Sequence, residues 1–464
     1  MTALQPITER TRIVGRRSRA SRLFLLIAPL LYAAYALLTP PFQTFDENQH
    51  LYRAWQISSF QLTGERRGLQ SGGELPPGLG SATLQEIGSL MPQGERRAVV
   101  RPFSKIFSRN SQSGKNRPAV FYNFYGAVLY PPISYIPQTA AVWIGEATDL
   151  SVEWTLRLGR LMNAALCIGL IWWALTLIPY GGGIMLIIAI LPPTAAGAAS
   201  FSQDGMIIGA SFLITGAALK VAAERRWSVR NTILVGVAGV IVTIAKIVYL
   251  PLVIVSVLPK PQRISWCRWT SVPLLAGLVA SVLLFAWMRV NAQAVIPTMR
   301  PWVPTIPEQV SWSLAHPGDF SLLIGRTYLL WLPKAWARLY EFGDSTVPVV
   351  WTAAVSGTLA IFAAMIRGDS HDLPTSRRIW MLLVFTAVAL LIATAMFLTL
   401  APRGAVAIEG IQSRYFLPVL PLAAIALMRR SETESPLLMK AALTLALISH
   451  GAALSTIATT FYTF

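Results

Sequence analysis

Asp46-Glu47-Asn48-Gln49-His50 places two adjacent carboxylates and a histidine within one short stretch, with Arg53 close behind. A carboxylate beside a hydroxyl can take its proton as the oxygen attacks, and a nearby histidine can orient or share that proton. A helix from 46 to 55 would set Asp46, His50 and Arg53 on one face, because i,i+3 and i,i+4 neighbours meet there. The simpler role for Asp46 and Glu47 is to cap that helix and complement its dipole. Other charged residues stand alone in apolar surroundings. Asp204 ends Ser200-Phe201-Ser202-Gln203-Asp204, Lys246 sits in Ile244-Ala245-Lys246-Ile247-Val248-Tyr249, and Arg414-Tyr415 opens another apolar run. A charge at membrane depth is costly, and it signals function unless it snorkels to the interface.

The elements that position these residues are membrane helices. Hydrophobic residues make up 54% of the 464 and charged residues 13%, about half the charged share of soluble proteins. Mean hydropathy is +0.53. Apolar runs long enough to span hydrocarbon recur along the chain, so the expected fold is an all-α integral membrane protein of about 10–12 transmembrane helices. The first run, from Leu23, is too long for a signal-peptide core and lacks a small-residue cleavage site, which makes it an uncleaved span. The net charge of +18 is scattered between apolar runs, which favours a cytoplasmic charge bias over nucleic-acid binding. Cys167 and Cys267 are expected to form no disulfide. His316, His371 and His450 have no zinc spacing.

Arg10, Arg12, Arg16, Arg17, Arg19 and Arg22 precede the first span and place residues 1–22 in the cytoplasm. Residues 39–126 then form a first external loop and 291–345 a second, within a membrane domain over 23–430. A cytoplasmic linker and a last helix complete the chain over 431–464. The run 127–145, with Pro131-Pro132 and Pro137, is expected to be re-entrant or interfacial; 161–179, 183–201, 205–223 and 415–428 are expected as further runs. Basic Lys260, Arg263 and Arg268 follow 231–258, so that segment reads as two short helices turning near Lys246. On this topology Asp46, Glu47, His50, Arg53, Asp204, Lys246, Tyr249, Glu409, Arg414 and Tyr415 gather on the outer side.

Asp46-Glu47-x-x-His50-x-x-Arg53 resembles the hallmark of a bacterial integral membrane family of unknown function, itself similar to the GT-C glycosyltransferases. Other matching pieces follow in order: Tyr130-Pro131-Pro132-Ile133-Ser134-Tyr135, Arg160-Leu161-Met162-Asn163, Ser200-x-Ser202-x-Asp204, Lys246-x-x-Tyr249-x-Pro251 and Gln412-x-Arg414-Tyr415-Phe416. Phe45 stands where that family often has proline. The resemblance implies a GT-C-like bundle in the bacterial inner membrane, with its active site outside the cytoplasm. It implies transfer of a sugar, with inversion, from a polyprenyl-phosphate donor to a glycan, lipid or protein acceptor. Asp46 or Glu47 would be the base; His50, Arg53, Asp204, Lys246, Tyr249, Arg414 and Tyr415 would bind substrate. The resemblance implies no definite cofactor, and a divalent metal is compatible with the carboxylates. Membrane lipids are the other expected partners. The main alternative, a transporter or flippase of a lipid-linked glycan, should show internal repeats and midplane charges; the sequence has no repeat. A scaffold would leave Asp46, Lys246 and Arg414 far apart.

Overall fold

A computed structural model describes residues 5–80, 100–103, 118–257, 265–298, 300–342, 347–366, 373–429 and 435–464, with side chains from residue 19 onward and without that of Arg268. Arg10, Arg12, Arg16, Arg17, Lys260, Arg263, Arg268 and His371 therefore carry expectations that lie outside the described side chains.

Helices dominate. In chain order they are α1 (Gln5–Leu38), α2 (Glu47–Ser58), α3 (Ile136–Ala147), α4 (Val152–Leu177), α5 (Gly182–Ala189), α6 (Pro192–Ala198), α7 (Asp204–Glu224), α8 (Val229–Ala245), α9 (Trp266–Val290), α10 (Ile306–Ala315), α11 (Pro317–Arg338), α12 (Trp351–Ile366), α13 (Thr375–Leu400), α14 (Leu420–Leu427) and α15 (Pro436–Phe461). Among the described residues six are long and apolar enough to cross a membrane: the segment from Arg19 in α1, α4, α7, α9 from Trp269, α13 and α15. The protein is an all-α integral membrane protein. Helix α9 makes the case physically. Leu274, Leu275, Leu278, Val282 and Phe285 are exposed along it, an apolar face too long for a water-soluble surface.

The expected ten to twelve spans counted runs that the backbone divides. Residues 183–201 become α5 and α6, because Pro192 and Pro193 cannot donate to a continuing helix yet suit the first turn of a new one. Residues 415–428 become a 3-10 turn, Ser413–Phe416, and the eight-residue α14. Helix α3 has twelve residues, about 18 Å at 1.5 Å per residue, too short to span. Residues 231–258 do break at Lys246. Its extended backbone, φ −151° and ψ 113°, ends α8 before a 3-10 helix over Ile247–Val257.

The described parts of both expected loops hold regular structure. In the first, β1 (Glu65–Arg67), β2 (Gln70–Leu75) and β4 (Val120–Asn123) form an antiparallel sheet. A second core forms against α2, where Leu51, Trp55, Phe124, Tyr135, Val142 and Phe201 are buried together. The second loop consists largely of α10 and α11. Strand β3 (Arg101–Pro102) pairs with β5 (Tyr462–Thr463) at the end of α15, and the Tyr462 hydroxyl donates to Leu38 O at 2.9 Å. The first loop, the end of α1 and the end of α15 thus share one end of the bundle.

Candidate active site

Glu47 opens α2 with its carboxylate fully buried. Arg160 of α4 donates from Nε to Oε1 at 2.7 Å and from Nη2 to Oε2 at 2.5 Å, and both side chains are 0% exposed. The backbone N–H groups of Phe42 and Phe201 donate to the same carboxylate at 2.9 and 3.2 Å. Arg160 spends its other donors on the carbonyls of Ala36, Thr39 and Pro40. One ion pair therefore ties together the end of α1, the start of α2, α4 and the loop before α7. Glu47, expected as an alternative base, has its oxygens occupied by this strut and lines none of the cavities below.

Asp46 is the opposite case. It holds φ 55° and ψ 18°, a left-handed conformation, and makes no side-chain capping bond to α2. The cap role is thus left unused, and Asp46 precedes the helix instead of sharing its face with His50 and Arg53. Left-handed backbone costs a residue with a Cβ about 1–2 kcal/mol, and such outliers concentrate at functional sites. The carboxylate is 47% exposed and meets Arg414 Nη2 at 3.2 Å.

From Arg414 the charges alternate. Its Nη1 lies 3.3 Å from Asp204 Oδ2, and Lys246 Nζ lies 3.2 Å from Asp204 Oδ1. Gln412 orients the guanidinium by accepting from Nε at 2.6 Å. The Tyr415 ring lies beneath the Lys246 ammonium at 4.6 Å, and Tyr249 ties the turn down by donating to Tyr415 O at 2.9 Å. Asp46, Arg414, Asp204 and Lys246 come from four separate parts of the chain, yet they form one chain of contacts. Asp204 stands in the first turn of α7, where the helix dipole favours its charge. Its carboxylate faces the two cations and not its own helix.

His50 lies beside this network, buried, with Nδ1 and the Tyr135 hydroxyl sharing a 2.6 Å hydrogen bond. The Tyr130 ring stacks 6.2 Å away. Burial pushes the His50 pKa down to about 4 against the pull of Asp46 and Asp204, so the imidazole is neutral at pH 7. Arg53 is elsewhere. It donates to Tyr130 O at 2.9 Å, to Leu62 O at 2.8 Å and to Gln56, with the Trp287 ring 5.8 Å away. It braces the turn carrying Tyr130 and has no contact with the Asp46 network. Glu409 pairs with Arg300 at the surface, 3.3 Å away.

Two cavities open on opposite sides of the network. One, about 210 Å³, is lined by Thr44, Ser200, Asp204, Arg338, Gln412 and Arg414. The other, about 400 Å³, is an apolar groove with Lys246, Tyr130, Tyr249 and Tyr415 in its wall. A larger cavity of about 700 Å³ beside α10 and α11 holds Glu308, Asp319 and Arg403 but none of the expected site residues. Volume alone does not locate the chemistry. Among the described residues no group of three or more His, Cys, Asp or Glu side chains could hold a metal ion, and the place between Asp46 and Asp204 is taken by Arg414. Neither Arg160 nor Tyr135 stands out in the sequence as a site residue, although each lies within a family-like segment, Arg160-Leu161-Met162-Asn163 and Tyr130-Pro131-Pro132-Ile133-Ser134-Tyr135.

Residues 29–423 match the family model described as "Predicted membrane protein (DUF2142)". No curated protein and no solved structure matches the chain.

Proposed function

The chain belongs to the DUF2142 family of membrane proteins, and we propose that this member is a glycosyltransferase using a polyprenyl-phosphate-linked sugar. The observation that carries this reading is the placement of the Asp46–Arg414–Asp204–Lys246 network beside a cavity of mixed polar and apolar lining and an apolar groove. The resemblance to GT-C enzymes points the same way. In this reading the prenyl chain occupies the groove beside Lys246. Lys246 has three N–H donors and gives one to Asp204, which leaves donors for the lipid phosphate. The sugar lies over the network, and the acceptor hydroxyl enters from the cavity near Asp46.

As the acceptor oxygen bonds to the anomeric carbon, Asp46 takes its proton and the bond from that carbon to the phosphate oxygen breaks. The bonding pair leaves with the polyprenyl phosphate, whose charge Lys246 and Arg414 stabilise. Attack opposite the leaving group inverts the anomeric centre. The transition state of such a displacement is oxocarbenium-like, with the bond to the leaving group largely broken. The arginine-rich start of α1 and the site lie at opposite ends of that helix, and the positive-inside rule supports a site outside the cytoplasm.

The test is a comparison of cell-envelope glycans in cells carrying the wild-type chain or Asp46→Asn. The substitution should remove a glycan modification while the protein remains in the membrane. Unchanged glycans at equal protein level would refute the reading. A flippase would also survive it, since carrying a lipid across needs no proton acceptor at residue 46.

A further inference from the structure

The 3-10 turn Ser413–Phe416 sends three consecutive side chains to three different places. Arg414 lines the 210 Å³ cavity and bonds Asp46 and Asp204. Tyr415 lines the apolar groove beside Lys246. Phe416 lines a second apolar groove, about 350 Å³, walled by Tyr328, Trp331 and Trp336 of α11 and by Phe385 and Ala389 of α13. Helix α13 separates the two grooves, with Ala389 on one and Ala395 on the other. They are similar in volume, and apolar side chains stand exposed at both. Ile247 at the first, and Leu332 and Leu390 at the second, are exposed.

A single lipid-linked substrate needs one groove. The second adjoins the 210 Å³ cavity, since Leu339, Ser413 and Leu417 line both. Arg338, next in sequence to the shared Leu339, lines that cavity, 55% exposed and 3.8 Å from Glu341, a cation that a phosphate at the edge of the groove could meet. A headgroup held there would leave its chain to the groove and its sugar to the cavity that Arg414 lines.

We infer that the acceptor is itself carried on a polyprenyl phosphate, with its chain in the Phe416 groove and its phosphate at Arg338. This rests on the glycosyltransferase reading, and it narrows the acceptor to a second lipid of the donor's kind. Donor and acceptor would then approach the network from opposite faces of α13, which keeps two long chains from competing for one path.

The probe is undecaprenyl monophosphate alone, added to the detergent-solubilised full chain and counted by native mass spectrometry. Wild type should retain two copies. Ala395→Trp fills the groove beside Lys246, Ala389→Trp fills the other, and each variant should retain one copy; the surviving copy shows that the variant is folded. Arg338→Ala, at an exposed position that leaves the core untouched, should weaken at least tenfold the copy that survives Ala395→Trp. A single copy in wild type, lost in Ala395→Trp and kept in Ala389→Trp, overturns the second lipid and leaves the donor reading standing. No retained copy overturns both.

Discussion

Asp46 and Glu47 are neighbours in sequence and opposites in structure. Glu47 is wholly buried, accepts four hydrogen bonds and meets an arginine whose other donors are also spent. Asp46 is half-exposed, left-handed and shares its arginine with a second carboxylate. The first arrangement is closed; every lone pair has a fixed partner, so the pair holds four segments in register. The second is open, with a left-handed backbone and a cavity of about 210 Å³ that begins at the neighbouring Phe45 and Arg414. Chemistry needs the open arrangement, and the open arrangement needs the closed one next to it, because Glu47 fixes the turn on which Asp46 stands.

The largest effect expected from breaking this contrast falls on activity. Asp46→Asn should lower sugar transfer about 10²–10⁴-fold, the usual contribution of a general base, with no loss of thermal stability in detergent. A stability loss in step with the activity loss would make Asp46 a second strut. Arg160→Ala should do the reverse. Stranding a buried carboxylate costs about 3–5 kcal/mol, enough to lower the unfolding temperature sharply or prevent accumulation in the membrane. Normal stability in that variant would remove the distinction between the two carboxylates.

Lys246→Met tests the far end of the open network. A hydrogen bond to a charged group is worth about 1.5–3 kcal/mol, so donor KM should rise at least tenfold while unfolding changes little. His50 supplies a pH signature. Its pKa is lowered from 6.5 to about 4 in the folded protein. Between those values the unfolded chain holds the proton and the folded one does not, so stability should fall as pH drops from about 6.5 to about 4. His50→Gln should flatten that part of the curve. An unchanged slope would show that the imidazole is not held neutral.

How much of this was legible in sequence depends on the distance over which each residue acts. Charges isolated among apolar residues are visible one by one, and Asp46, Asp204, Lys246 and Arg414 were each singled out on that basis. The break at Lys246 was visible too, from basic flanks and Pro251. Glu47 and Asp46 looked alike because nothing local separates them. What separates them is Arg160, more than a hundred residues away, and a backbone angle. Hydropathy likewise ran across Leu191-Pro192 and Leu417-Pro418, since a window average sees composition and not a missing donor. Arg53 does lie one turn along α2 from His50, but its guanidinium meets the carbonyls of Tyr130 and Leu62, which are distant or loop-borne partners that nothing local in the sequence marks.

That left-handed turn gives the smallest and most discriminating expectation. Asp46→Ala and Asp46→Gly both remove the carboxylate and its contact with Arg414, so transfer should be equally low in both. They differ in what they do to the backbone. Alanine keeps the Cβ that the left-handed region penalises, whereas glycine enters that region at no steric cost. Glycine also makes the unfolded chain more flexible, which offsets part of the gain. The balance should leave the glycine variant more stable than the alanine variant by about 1 kcal/mol, read as a difference in unfolding midpoint between two equally inactive proteins. Equal midpoints would mean that the turn is relaxed, and the contrast between a strained, working Asp46 and a relaxed, structural Glu47 would then rest on exposure and charge alone.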